Sequence, residues 1–433
     1  MTKIFGLVTI MIVGLVGLVD ARMSRLEIIR REPFAGGQTF GEIGPYEKIV
    51  GRFHGELDLE NPLNRVIVDL EKALRNSRGR VEYSADFYIL KPVDVAKGNG
   101  AVFYDVSNRG GKPALGLFNN APPGVNDPTT QEHAGNGFLM RHGFTIVWSG
   151  WIPTGLPAGE SILRIVAPVA TLASGPIEGL VWDEVLVNTK TVTEARLTFQ
   201  TKSPDSSKAT LLIRERIAAP PTTVPASEWE FINDQTIRLL PVGTPFRLGA
   251  IYQVIYRAAN PPVAGVGFAA TRDLISFLRY QTADDRGTEN PLSIGGTPAL
   301  RRILAFGQSQ SGRYLRGFVY HGFNEDERNR MVFDGIHSNI AAARVFLNYR
   351  FAQPVRGNQL AHENMFYPDV DFPFAYESQA DPVTGRTDGI FSRCAMRGNC
   401  PKLIHTVSSN EYWQSGQSLV TTDNHLAGFS ERH

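Results

Sequence analysis

Thiol chemistry is nearly absent from this 433-residue chain, whose only cysteines are Cys394 and Cys400 in Cys-Ala-Met-Arg-Gly-Asn-Cys. A metal half-site would need further thiols or imidazoles placed nearby, and Cys394 and Cys400 stand alone. In an oxidising compartment such a pair reads as one local disulfide. Charge of either sign is not in excess: 44 Lys and Arg face 43 Asp and Glu, for a formal net charge of +1. With no long run of one sign, the balance argues against nucleic acid or an acidic membrane surface as the main partner. There is no H-E-x-x-H, and Asp369-Val-Asp371 and the acids of 381–388 lack the spaced ligands of a calcium loop. No bound metal and no cofactor are expected.

Long apolar runs are also missing, with one exception. Lys3 precedes the apolar stretch Ile4 to Val19, and Val19-Asp20-Ala21 offers small residues at the positions that flank a cleavage site. Residues 1–21 therefore read as a secretory signal peptide, with an uncleaved membrane anchor as the rival. The expected location is secreted or periplasmic, with no membrane contact beyond the leader.

What is present is an ordinary globular balance, 42% hydrophobic and 20% charged, enough for a substantial core. Strand-like alternation marks 40–51 and 79–90. Buried-type strands follow at Gly100 to Val106 and Phe144 to Trp148, and later at Met331 to Ile336 and Lys402 to Val407. Between about 163 and 258, short β-branched segments alternate with Pro, Ser and Thr turns, a β-rich insertion. Helical spacing returns at Gly267 to Tyr280 and at Arg313 to His321. An irregular excursion rich in Pro, Asp and aromatics covers about 358–389. Residues 22–433 then form one α/β domain with a mostly parallel sheet flanked by helices. Gly265-Val-Gly-Phe-Ala-Ala270 fits a dinucleotide-binding pattern, but Asn260-Pro-Pro262 breaks the strand that should lead into it.

The chemistry concentrates at Ser309. Arg301 to Arg316 runs from an apolar strand, through a turn of small residues, into a helix. That is the layout of a nucleophile elbow, which needs small residues two before and two after the serine. Gly307 and Ser311 fill those places, giving G-x-S-x-S. The competing reading is a serine-rich turn in which Ser309 or Ser311 caps a helix. A serine nucleophile also needs oxyanion donors, an acid and a base. Gln310 follows the nucleophile. Gly110 and Gly111, after the Gly100 to Val106 strand, can bring a second N–H close; otherwise they form only a tight turn. Glu411 lies on the loop leaving the strand at 402–407, where the acid belongs, with Asp423 as a rival. For the base, only His425 and His433 follow Glu411. His337 lies just past its strand but breaks the usual chain order. His54, His133, His142, His321, His362 and His405 lack a catalytic context.

These residues resemble those of the large secreted bacterial family described as alpha/beta hydrolase domain-containing proteins. The likeness covers nearly the whole chain after the leader. It rests on Phe40-Gly-Glu-Ile-Gly-Pro-Tyr-Glu47, Asn108-Arg-Gly-Gly111, Gly307-Gln-Ser-Gln-Ser-Gly-Arg313, Phe372-Pro-Phe-Ala-Tyr376 and Glu411-Tyr-Trp413. The resemblance implies an α/β-hydrolase fold and carboxyl-ester hydrolysis, with a small-molecule ester as the partner, Ser309 as nucleophile and Glu411 as acid. It also implies a longer C-terminus holding a last strand and the catalytic histidine. On that basis the chain reads as a truncated or frameshifted member of an exported serine hydrolase family, whose activity turns on whether a base remains. The alternative is a non-catalytic exported protein that binds a ligand on a hydrolase scaffold.

Overall fold

In the computed structural model the described residues are 22–157, 159, 161–341, 344–355, 371–414 and 416–422. The leader, most of the first half of the 358–389 excursion, Asp423, His362, His425 and His433 lie outside them. Along the chain come β1 (Arg22–Pro33), β2 (Tyr46–Leu57), β3 (Val81–Pro92), β4 (Ala101–Asp105) and β5 (Thr145–Ser149). A second group follows: β6 (Glu178–Leu186), β7 (Glu194–Arg196), β8 (Thr210–Arg214), β9 (Trp229–Asn233), β10 (Thr236–Leu239) and β11 (Ile251–Ala259). The last third holds α1 (Val266–Tyr280), β12 (Arg302–Gln308), α2 (Gln310–Tyr320), β13 (Gly335–Asn339), β14 (Lys402–Thr406) and α3 (Ser409–Gln414).

The main sheet is mixed, in the order β1-β2-β3-β5-β4-β12-β13-β14. From β5 to β14 neighbouring strands run parallel, while β1, β2 and β3 pair antiparallel with one another and β3 with β5. The parallel strands are covered by helices, as strand–helix–strand connections require. α1 is buried from Val266 to Leu278, so its heptad-like spacing reflects packing on all sides and not a single core face. Gly267 has a tertiary cause: a Cβ there would overlap the Trp151 carbonyl. The G-x-G-x-x-A run is thus a close-packing device at a helix start.

The β-branched stretch forms antiparallel sheets separate from the main one. β6, β8 and β11 pair in one, and β7, β9 and β10 in the other. Their apolar faces share one core with the sheet and α1.

Three readings shift. The strand expected at 40–51 starts only at Tyr46, because Gly41–Ile43 makes a tight 3-10 turn and Gly44 takes φ +87°. β1 is a strand that the sequence pattern did not announce. The strand expected at 331–336 is β13, at 335–339. Val332 and Phe333 are apolar because they are fully buried in the approach to the strand, with Asn324 bonded to both N–H and C=O of Phe333. Cys394 and Cys400 are joined as a disulfide, as expected.

A buried ionic cluster locks α1 to the rest. Arg272, fully buried, donates to Asp273 (2.7 Å), Glu327 (3.0 Å) and Asn64 (3.0 Å), and Tyr83 donates to Asp273 (2.7 Å). Removing one partner of such a cluster strands the buried charges that remain. Arg272→Leu is expected to cost about 3–5 kcal/mol in urea unfolding.

Candidate active site

The sequence places Ser309 where a strand must become a helix with no residue to spare. β12 ends at Gln308 and α2 begins at Gln310, so Ser309 makes the whole turn at φ +55°, ψ −117°. That region is unfavourable for a residue with a side chain and persists only where the surroundings enforce it. They do so here. Ser309 N–H donates to Asn339 O at the end of β13 (2.8 Å), and Ser309 O accepts from Arg313 N–H (2.9 Å). Small residues are required by contact. A Cβ on Gly307 would overlap the Ser311 carbonyl, and one on Gly312 would come within 2.8 Å of both the Ala341 side chain and Gly307 O. Ser311 is fully buried and turns its hydroxyl back onto Gln308 O (3.0 Å), so it is part of the turn.

The turn after β4 lies beside this elbow because β4 and β12 are adjacent and parallel, with Asp105 opposite Phe306. Asn108 Nδ2 donates to Gln308 O (2.8 Å), and Arg109 N–H to the Gln310 side-chain oxygen (3.3 Å). Arg109 and Gly110 both take left-handed backbone, φ +50° and +79°. Gly111, expected to offer an oxyanion N–H, instead donates it to Asn108 O at 2.9 Å, closing the turn on itself. Gln310 opens α2, and the first N–H groups of a helix have no partner within it. Arg109 N–H is spent on Gln310 in the same way, which leaves the amides of Gln310 and Gly110 to serve this corner.

A buried chain of hydroxyls fixes the strands around the elbow. Tyr104 OH meets Ser149 Oγ (2.7 Å) and Thr271 Oγ1 (3.2 Å), and Tyr314 OH of α2 donates to Gly267 O (3.0 Å) and meets Thr271 Oγ1 (2.8 Å). Asp105, at the end of β4, accepts from Trp148 Nε1 (2.6 Å) and Ala114 N–H (2.9 Å), while its Oδ1 is buried with no hydrogen-bond partner. Burial pushes its carboxyl up to about 7, against the pull of those two donors and of the Lys112 charge. Burial also brings Lys112 down to about 7.

Glu411 lies in α3, just after β14, and is half-buried. Its N–H donates to Ser408 Oγ (3.3 Å) and its carboxylate accepts from Gln417 Nε2 (2.9 Å). Burial raises its carboxyl, and the charge of Arg313, one turn into α2, partly offsets the rise. Among the described residues no histidine bonds to Ser309 or Glu411. His337 sits in the middle of β13, opposite Phe306 and not at the strand's end. Its Nε2 meets Thr406 Oγ1 (3.0 Å), and burial lowers its basicity. His405 is bound to Tyr376 OH (3.0 Å), and burial holds both it and His321 near 3. No group of three His, Cys, Asp or Glu among the described residues could hold a metal ion.

A cleft of about 890 Å³ lies against the site, lined among others by Arg109, Leu156, Arg164, Arg196, Leu197 and Val355. It joins the turn after β4 to the β7 and β10 region of the insertion. It is not legible in the sequence, since its lining is scattered over more than 240 positions and only Arg109 among these residues belongs to a motif.

Two outcomes follow from these contacts. Gly307→Ala must push apart the backbone of the elbow, and is expected to cost about 1–3 kcal/mol in urea unfolding while lowering any reactivity of Ser309. Between pH 4 and 7 the folded protein holds a proton on Asp105 that the unfolded chain has released, so that group's contribution to stability falls as pH rises through this window and levels off above it. Asp105→Asn removes the effect. Relative to the parent, the variant is expected to gain stability from pH 5 to pH 7.5, by up to roughly 1.4 kcal/mol per pH unit, in paired unfolding curves.

No curated protein matches the chain. The family model described as "Alpha/beta hydrolase domain" matches residues 192–419, which take in β7, the elbow, α2 and Glu411 and leave the turn at 108–111 outside. Because that match covers more than half of the chain, and the serine turn it includes lies between a parallel strand and a helix, this protein belongs to the alpha/beta hydrolase domain family.

Proposed function

We propose that the chain is an exported serine hydrolase of carboxylic esters. The observation that carries the reading is the backbone of Ser309, held at φ +55° between β12 and α2 with its side chain at the tip of the turn. Ser309 Oγ adds to the ester carbonyl and gives up its proton to a base, which passes it to the departing alcohol. Water then adds to the acyl-serine, releases the carboxylic acid and returns a proton to Ser309. The amides of Gln310 and Gly110 hold the oxyanion, worth about 3–4 kcal/mol per donor in related chemistry. Glu411 orients the base, for which His425 and His433 are the candidates; both lie outside the described residues. Residues 1–21 act as the export leader, and the Cys394–Cys400 disulfide suits an oxidising compartment. Among the described residues no helix is long and apolar enough to cross a membrane.

One observation favours a second reading, a ligand-binding protein on a hydrolase scaffold: no described histidine contacts Ser309 or Glu411. A fluorophosphonate probe separates the two. Applied to the protein and to Ser309→Ala, followed by peptide mapping, it is expected to label Ser309 alone. The same variant is expected to lower turnover of a p-nitrophenyl ester by on the order of 10⁵-fold. A folded protein that takes up no label removes the hydrolase reading and leaves the binding one.

A further inference from the structure

The cleft beside the elbow gathers positive charge that no carboxylate among the described residues pairs. Its lining borders the contacts that hold Gln310, the residue after the nucleophile, on two sides. Arg109 N–H meets the Gln310 side-chain oxygen, and Gln310 Nε2 donates to Pro354 O, next to the lining residue Val355. Its volume, about 890 Å³, is that of a site for a small molecule.

Three guanidinium groups line it, and among the described residues each donates to neutral acceptors. Arg109 Nη1 donates to Asn108 Oδ1 (3.2 Å), and its Nε is buried with no hydrogen-bond partner. Arg164 donates to the carbonyls of Pro157, Gly159 (2.9 Å) and Ile162 (3.0 Å). Arg196 Nη2 donates to Gln235 Oε1 (2.8 Å). Among the described residues no carboxylate forms an ion pair with any of the three. Two acids that bond to lining residues are engaged elsewhere. Asp86 accepts the backbone N–H of Arg164 (3.1 Å), but its ion pair is with Arg52 (2.8 Å). Asp183, behind the lining residue Thr198, accepts from Thr198 N–H (2.6 Å) and Oγ1 (2.7 Å), Tyr256 OH (3.0 Å) and Gln353 Nε2 (2.9 Å).

Carbonyl and amide oxygens satisfy N–H groups without cancelling their charge. Like charges gathered in a cleft raise the local concentration of anions and favour one that enters. Guanidinium groups suit a planar carboxylate, which they can grip with two parallel bonds. Leu156 and Leu197 supply an apolar wall beside them.

We infer that the cleft is a subsite for a carboxylate on the substrate, so that the preferred ester has an apolar body and a free acid, as in the half-ester of a dicarboxylic acid. This assignment rests on the hydrolase reading for its chemistry but not for its test. Ser309→Ala protein, which cannot turn over substrate, is titrated by calorimetry with monomethyl adipate and with dimethyl adipate, which differ by one charge. The mono-acid is expected to bind at least about tenfold more tightly, and the preference to shrink with added salt. Adding Arg196→Gln, at an exposed position of the insertion, is expected to reduce the preference by about tenfold, the loss of one charge-assisted contact, with Arg196→Lys restoring part of it. Equal affinity for the two esters, no binding of either, or a preference that survives both Arg196→Gln and Arg109→Gln overturns the assignment. Labelling of Ser309 without an anion preference overturns the subsite alone. An anion preference without labelling upholds the subsite and removes the hydrolase reading.

Discussion

One residue has to turn a strand into a helix, and the surrounding architecture makes that turn tolerable. Ser309 at φ +55° is a conformation that costs of order 1–3 kcal/mol for a non-glycine residue. The N–H bond to Asn339 O fixes it to the next parallel strand, and the glycines at 307 and 312 allow the helix to start against the strand it has just left. The same parallel packing sets the turn at 108–111 beside Gln310. Without the β4–β12–β13 register, the amides and the serine would not converge.

The supports of this corner are polar and buried, which makes them specific. The Tyr104, Ser149, Thr271 and Tyr314 hydroxyls join two strands and two helices through bonds of 2.7–3.2 Å. Asn108 and Gln310 reach across the elbow with their side chains, so the loop and the helix start are held as one unit. Satisfied networks of this kind define one arrangement strictly, because any slip leaves a buried polar group without a partner. The insertion contributes in a different way. Its strands share the main core, and they complete one wall of the cleft that a bare sheet and helices would leave open.

Legibility in the sequence followed the range of the interaction. The elbow, the glycine turn, the helix after it and the disulfide all lie within a dozen residues, and local spacing shows them. The apolar Val332 and Phe333 misled the reading of β13 because burial in a loop gives the same composition as burial in a strand. The antiparallel strand β1 alternates among so many charged residues that its pattern is hidden; only pairing with β2 gives it a place. Gly111 shows the limit most sharply. A glycine in the right loop has the right freedom, yet its N–H closes the turn onto Asn108.

The sequence by itself determined that this chain is an α/β protein with a serine at a strand-to-helix turn and a late acid at Glu411, because those features are set by short-range sterics and by the alternation of apolar residues. Only the tertiary structure decided that the N–H groups of Arg109 and Gly111 are spent within the corner, that His337 sits in mid-strand, and that Arg109, Arg164 and Arg196 share one cleft. Hydrogen bonds and charges compete among all neighbours in space, and those neighbours come from segments tens to hundreds of residues apart.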